Sequence, residues 1–427
     1  MGQADHDGAV DRVVRYGPVF AKKRRRCWDV RGRRVATVCA VVLAVGLVAS
    51  LGGAQARPLK VAFLSSLSGP FAFWGVNARD GMRMAVAELN EAGGVLGRPV
   101  EFVERDDRNN PAEAISAFRF LVEREGISAA GGVISSDVAL AASREAESLR
   151  VPLFLTMAGS HAILRKTSRF TFRTCLVAAP MYVQAIAAMV QHAKYARVGN
   201  LIADYAWGHS IREAVERYVA GLPGVRVQTE VAPVTAADFT PYLRRLQAFD
   251  PQLLVIAGHP PGNPIIVRQA AELGMRQQLI GSVLPPELMV QRGGEAVFSR
   301  FLDYSCVDFT TPAFRQLAAK YYSLYKRYFD NSAFSGYVIV KMVADAAKKA
   351  GSTDPRAIAE VIRKGRFVQP GYAFPHSYTE WGELKEARIV FFTIERGEVP
   401  GGVCPGCGWA QKYQFRSTLL QPYVPAE

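Results

Sequence analysis

Residues 59–107 read LKVAFLSSLSGPFAFWGVNARDGMRMAVAELNEAGGVLGRPVEFVERDD, and this stretch decides the fold. Residues 59–64 are a short apolar run of strand length, followed by a Ser/Gly/Pro loop. The pattern then predicts a helix over 78–92 that stops at Gly93-Gly94, where a left-handed C-terminal turn is easily made. Residues 100–104 are the next strand. The following helix has a marked start: Asn110 caps, Pro111 suits the first position, and Glu113 can reach back. Its apolar stripe is Ile115, Phe118, Leu121 and Val122. A strand over 129–134, a helix with Val138, Ala141, Ala142 and Leu149 on one face, and a strand over 151–155 complete this run.

The same rhythm restarts beyond Cys175. Val183, Ile186, Ala187 and Val190 mark a helix, 197–203 a strand, and Ile211, Val215, Tyr218 and Leu222 a helix. Strands are expected near 225–231, 252–257 and 278–283, separated by helices bearing Phe239, Leu243 and Leu246, then Ile266, Ala270 and Leu273. Alternating strands and helices imply parallel sheets covered on both faces. Two such runs imply two doubly wound α/β lobes. Helices over 312–329, 335–350 and 355–364 and a late strand over 388–394 follow. The tail from Val399, rich in Gly and Pro, reads as an extension.

Of the 427 residues 49% are hydrophobic and 21% charged, a globular composition. The net charge of +14 raises a nucleic-acid partner as an option. Residues 1–56 hold ten Lys/Arg against four Asp/Glu, so they carry +6 of it, and the rest is spread without a basic run. No nucleic acid is therefore expected. Within that segment Lys22–Arg26, Arg31, Arg33 and Arg34 precede an uncharged apolar run over 35–51 and then Ala54-Gln55-Ala56. Basic region, apolar region and small-residue site in that order describe a cleavable export signal, with an uncleaved anchor as the rival. Export to the periplasm is expected, leaving Cys175, Cys306, Cys404 and Cys407 where disulfides persist.

In open parallel sheets ligands sit beyond the carboxyl ends of the strands. Three loops there are candidates: 65–75 with Trp74, 135–137 with Ser135 and Ser136, and 156–161 with Gly159 and Ser160. Two are rich in hydroxyls and the first runs into a helix N-terminus, where free N–H groups suit a carboxylate. Taken singly, such Ser and Gly residues build turns and caps. Three loops at successive strand ends favour a site.

The ordered set SLSGPFAFWG, LNEAGGVLGRPVEFVERDD, NNPAEA, GGVISSDVALA, VPLFLTMAGS, FTFRT, FTPYLRRLQAFDPQLLVIAG and IVRQAAELGM resembles periplasmic binding proteins for branched-chain amino acids and related amides. The resemblance covers residues 58–396. It implies the type I periplasmic binding protein fold: two α/β lobes joined by a three-strand hinge, closing on a ligand between them. Residues 57–176 and 307–385 would form lobe 1, 177–306 and 386–398 lobe 2, and 399–427 a C-terminal extension. By the same resemblance Trp74 and Trp207 match ligand-packing aromatics, Ser135, Ser136, Gly159 and Ser160 match the carboxylate site, and His259 falls where a Tyr is common. Relatives that bind amino acids hold the ammonium with an acid just after the strand at 278–283. Here that place reads Ser282-Val283-Leu284-Pro285-Pro286-Glu287, with Glu287 three or four residues late. A buried ammonium without an acid is costly, so the departure favours a carboxylate or amide ligand without an α-amine, with an amino acid held through Glu287 as the alternative. The implied partners are a small-molecule ligand and membrane permease subunits of an ABC importer; no cofactor and a monomer are expected.

Cys175 and Cys306 fall near two of the implied crossovers, so a hinge disulfide is an expectation that a Cα separation well beyond about 7 Å would exclude. Cys404-Pro405-Gly406-Cys407 admits a redox pair, half a zinc site or a local disulfide. It lies in a Gly/Pro tail, and no second CxxC or His pair completes a metal site, which leaves a local disulfide or unpaired thiols. Asp106-Asp107 is read as ordering its turn. No G-x-S-x-G elbow, P-loop or HExxH spacing is present, so an enzyme is the weaker alternative and a sensor domain of the same fold the stronger one.

Overall fold

The computed structural model describes residues 57–258, 262–281, 284–398 and 403–426, apart from the side chain of residue 299. The proposed leader, residues 1–56, lies outside them. All described residues belong to one compact unit, Ala56–Glu427.

The first run of elements is β1 (Lys60–Ser65), α1 (Ala72–Glu91), β2 (Glu101–Asp106), α2 (Pro111–Phe120), β3 (Ala129–Val133), α3 (Ser136–Leu149), β4 (Leu153–Leu155) and β5 (Thr171–Arg173). The second is α4 (Ala179–Ala193), β6 (Arg197–Ala203), α5 (Ala206–Tyr218), β7 (Arg226–Ala232), α6 (Thr240–Phe249), β8 (Leu253–Ala257), α7 (Gly262–Glu272), β9 (Gln278–Ile280), α8 (Pro286–Gly293), α9 (Val297–Arg300) and β10 (Phe301–Ser305). Then come α10 (Pro312–Tyr325), α11 (Asn331–Ala350), α12 (Pro355–Lys364), β11 (Arg366–Phe367), β12 (His376–Ser377), β13 (Val390–Arg396) and β14 (Trp409–Arg416).

Two sheets organise these elements. The first is parallel throughout, in the order β2-β1-β3-β4-β5. The second runs β14-β13-β10-β9-β8-β6-β7, parallel from β10 to β7, with β13 and β14 added antiparallel. This is the doubly wound pattern expected from the alternating sequence. Both sheets carry their apolar residues inside, Val61, Phe63, Leu153 and Phe172 in one and Leu201, Leu254 and Ile280 in the other.

Helix α1 begins at Ala72, six residues before the predicted start, so Trp74 stands in its first turn. It lies directly against α11. A Cβ on Gly81 would stand 1.8 Å from the Ala333 carbonyl, and one on Gly336 would stand 2.1 Å from the Ala78 carbonyl. Only glycine allows this approach, and it seats α11 under the first sheet. Asn110 caps α2 as read, its Oδ1 accepting from the N–H groups of Ala112 and Glu113. The Asn110 N–H donates to the Asp107 carbonyl, so Glu113 is not used as a return cap.

The chain passes between the sheets three times, at 174–178, 306–311 and 385–389. Cys175 and Cys306 join the first two passages by a disulfide with a Cα–Cα distance of 5.3 Å. The Tyr372 hydroxyl donates to the Thr174 carbonyl at 2.9 Å, and the Ala373 N–H to the Cys306 carbonyl at 2.9 Å. Part of the tail read as an extension beyond the lobes is β14, paired with β13 along its length across one bulge at Gln414, so this stretch is an edge strand of the second sheet. Beyond it the chain runs back across the molecule. The Leu420 N–H donates to the Ala387 carbonyl, the Trp381 indole to the Tyr423 carbonyl at 3.1 Å, and the Tyr423 ring stands 5.1 Å from that of His161.

Cys175 and Cys306 lie 131 residues apart in sequence. Replacing both by serine is expected to lower the unfolding free energy by about 2–5 kcal/mol, read as a fall in the urea midpoint. An unchanged midpoint would show that the link imposes no constraint.

Candidate ligand-binding site

The loops after β1, β3 and β4 meet at one edge of the first sheet and are held by their own hydrogen bonds. Asp106 and Asp107 order their own turn, as the sequence suggested, accepting from the N–H groups of Arg108 and Asn109 at 2.8 Å, and they also hold the first loop, which the sequence did not suggest. Asp106 accepts from the Leu67 N–H and the Ser68 hydroxyl, both at 2.9 Å, and Asp107 from the Ser66 hydroxyl at 2.6 Å. Burial pushes the Asp107 carboxyl up. Ser136 Oγ accepts from the Ser160 N–H at 3.2 Å, which joins the second loop to the third. Ser135, Ser136, Gly159 and Ser160 are therefore brought together, all buried.

The second sheet faces these loops with the start of α5. The Ser160 and Ser210 hydroxyls are 2.7 Å apart, the Ala206 N–H donates to Asp137 Oδ1 at 3.2 Å, and the Phe71 and Tyr205 rings are 5.9 Å apart. Trp207 lies on Gly159 so closely that a Cβ there would be 2.2 Å from its ring. Trp207 continues an aromatic series: its ring is 6.4 Å from that of Tyr182, which stacks on Tyr304 at 4.2 Å. The Tyr182 hydroxyl donates to the Gly281 carbonyl at 2.7 Å. Trp74 is buried against Phe71, ring centres 6.0 Å apart. A groove of about 410 Å³ runs between the start of α1 and α8, lined by Pro70, Phe73, Val76, Leu288 and Arg292 among others.

Among the described residues, the buried hydroxyls of Ser65, Thr156 and Tyr304 find no hydrogen-bond partner. Each such group costs about 1–3 kcal/mol, a cost a polar ligand can offset.

The remaining candidates fall elsewhere. His259 lies outside the described residues. Glu287, a candidate ligand residue that stands three or four places late for the acid's role, is turned to the connection between α10 and α11. Its Oε1 accepts from the Tyr328 N–H at 2.6 Å, and burial raises its carboxyl. It stands beside Cys404 and Cys407, which are bonded to each other with a Cα–Cα distance of 5.6 Å.

Sequence reasoning missed Tyr182, Tyr304, Ser210, Arg173 and Asp303. The pairing of Leu302 with Ile280 sets Asp303 beside the end of β9, close to the family's usual acid position. It is fully buried, and burial pushes its carboxyl up to about 7 against the opposing N–H donors of Tyr304 and Leu284.

The family model described as "Periplasmic binding protein" matches residues 58–395. The chain belongs to this family. Its members are binding proteins, and membership implies an extracytoplasmic location; among the described residues no helix is long and apolar enough to cross a membrane. The chain is 24% identical over 360 residues to a Leu/Ile/Val-binding protein homolog of Brucella suis, covering 83% of this chain and 95% of that one. It superposes on a leucine-binding protein of Thermotoga maritima with a TM-score of 0.72 and 23% identity, covering 85% and 99% of the two chains. A solute-binding protein of Rhodopseudomonas palustris solved with 3,4-dihydroxybenzoic acid gives a TM-score of 0.72 and 20% identity, with 85% and 98% covered. The fold of this solute-binding protein is thus that of the type I periplasmic binding proteins.

Gly159→Ala pushes Trp207 away and should shift the protein in solution toward an open form, seen by X-ray scattering as a larger radius of gyration than wild type. Asp303 binds its proton more tightly folded than unfolded, so its contribution to stability is full below about pH 4 and is lost as pH rises toward 7. Asp303→Asn should therefore raise the thermal midpoint relative to wild type more at pH 8 than at pH 5, and an equal difference at both would refute the assignment.

Proposed function

We propose that this chain is the solute-binding subunit of an ABC-type importer, exported through residues 1–56, and that it captures a small carboxylate lacking an α-amine. Residues 57–176 with 307–385 act as one lobe and 177–306 with 386–398 as the other. The ligand is bound between them by closure, not turned over, and the closed form is presented to permease subunits.

The fate of the acids carries the ligand class. An α-amino acid needs an ionised partner for its ammonium in a buried site. The Glu287 carboxylate is engaged by the Tyr328 N–H, and Asp303 is fully buried with its carboxyl pushed toward neutrality and two backbone N–H groups upon it. The carboxylate side keeps its hydroxyls, and Trp74, Trp207, Tyr182 and Tyr304 offer flat apolar walls. An aromatic acid suits that combination, and the dihydroxybenzoate bound by the R. palustris protein shows that this fold can hold one.

A thermal-shift screen of residues 57–427 tests this reading with benzoate, dihydroxybenzoates, phenylacetate, 4-methyl-2-oxopentanoate, the branched-chain and aromatic amino acids, and amides. A ligand at a hundred times its Kd adds about 2.7 kcal/mol. Stabilisation by acids and not by the corresponding amino acids is the expected outcome. Stabilisation by amino acids alone would overturn it.

A further inference from the structure

Arg173, the last residue of β5, is fully buried, and its guanidinium is spent on three acceptors. Nε donates to Glu383 Oε2 at 2.7 Å, Nη1 to the Ala158 carbonyl at 2.5 Å, and Nη2 to the Ser160 carbonyl at 2.6 Å. Glu383 is as deeply buried, and its other oxygen accepts from the Leu384 N–H at 3.2 Å. A buried ion pair is a poor source of stability, because desolvation offsets its attraction. What this one supplies is geometry. The rigid fork of a guanidinium can hold two carbonyls at fixed directions, which a lysine ammonium cannot.

The two carbonyls belong to the loop that carries Gly159 and Ser160. In a trans peptide the C=O and N–H point in opposite directions, and the described chain has no cis bonds. With the Ala158 and Ser160 carbonyls drawn onto Arg173, the N–H groups of Gly159 and His161 are turned away from it. The Ser160 N–H is taken by Ser136 and the Gly159 carbonyl by the Ala179 N–H. Each peptide bonded to the guanidinium is polarised by that hydrogen bond, which makes its outward N–H a stronger donor even with Glu383 offsetting part of the charge.

The same pair reaches the hinge. Arg173 precedes the first passage between the sheets, Glu383 precedes the third, and the Tyr378 hydroxyl donates to the Arg173 carbonyl at 2.9 Å. Loop and hinge are set by one pair of charges.

We propose that Arg173, held by Glu383, is the positioning residue of the ligand site: it fixes the Ala158–Ser160 turn so that its outward N–H groups receive a carboxylate. The inference rests on the carboxylate reading above and adds the residue that makes the site selective for an anion.

The test compares wild type, Arg173→Lys and Glu383→Gln by amide hydrogen exchange over residues 157–161 and by calorimetry with benzoate and its neutral analogue benzamide. Lysine keeps the charge and loses the fork. Arg173→Lys should speed exchange in 157–161 at least tenfold while β1 and β3 exchange as in wild type, and should weaken benzoate at least tenfold and benzamide less. Glu383→Gln, which keeps the fork but loosens its anchor, should give smaller changes of the same kind. Wild-type exchange in the lysine variant, equal loss for both ligands, or acceleration spread over the whole first sheet would overturn the inference. A wild type that binds neither benzoate nor any other acid, while local exchange still rises in the variant, overturns the carboxylate reading and leaves Arg173 as the residue that sets the turn.

Discussion

Three short passages of chain connect the two sheets, and everything the site does depends on how these passages are tied to one another. The Cys175–Cys306 disulfide joins the first to the second, and Arg173 with Glu383 joins the start of the first to the start of the third. The Tyr372 hydroxyl on the Thr174 carbonyl adds a bond between the first passage and the segment leading to the third. With the passages tied in this way, the loops beyond β1, β3 and β4 meet the start of α5. That meeting shows in pairs such as Ser160 with Ser210 and Asp137 with the Ala206 N–H. Hinge transitions of this type are driven by contacts present in only one of the two states.

Much of the fold was legible because its signals are local. Strand-length apolar runs and the Asn110-Pro111 start fix the elements of the first sheet nearly where they stand. The early start of α1 was hidden because Ala72, Phe73 and Trp74 follow Ser, Gly and Pro, and only packing of that turn decides whether they are loop or helix. Strand β14 was hidden for a different reason: Trp409, Tyr413 and Phe415 alternate with polar residues as a strand would, but the Gly/Pro stretch before them reads as the start of an unstructured extension.

The candidate site divides in the same way. Ser135, Ser136, Gly159 and Ser160 could be chosen because the ends of parallel strands are known positions, whatever the side chains do. Tyr182 and Tyr304 lie within apolar stripes, where an aromatic reads as core. Glu287 sits in the first turn of a helix, and spacing alone does not tell which side such a residue faces. Arg173 shows the limit most clearly, since a charged residue ending a strand reads as surface unless its partner, 210 positions away at Glu383, is known.

The end of the chain touches more of the molecule than its composition suggests. After β14 it crosses to the third passage at Ala387, to α4 at Gln184, and to Trp381 and His161 beside the first sheet. Such a strap touches elements of both sheets, so any parting of the two would move its last residues. A dye coupled near Tyr423 would convert that movement into light, and the tail would then serve as a built-in gauge of ligand capture, without altering a residue in the cleft.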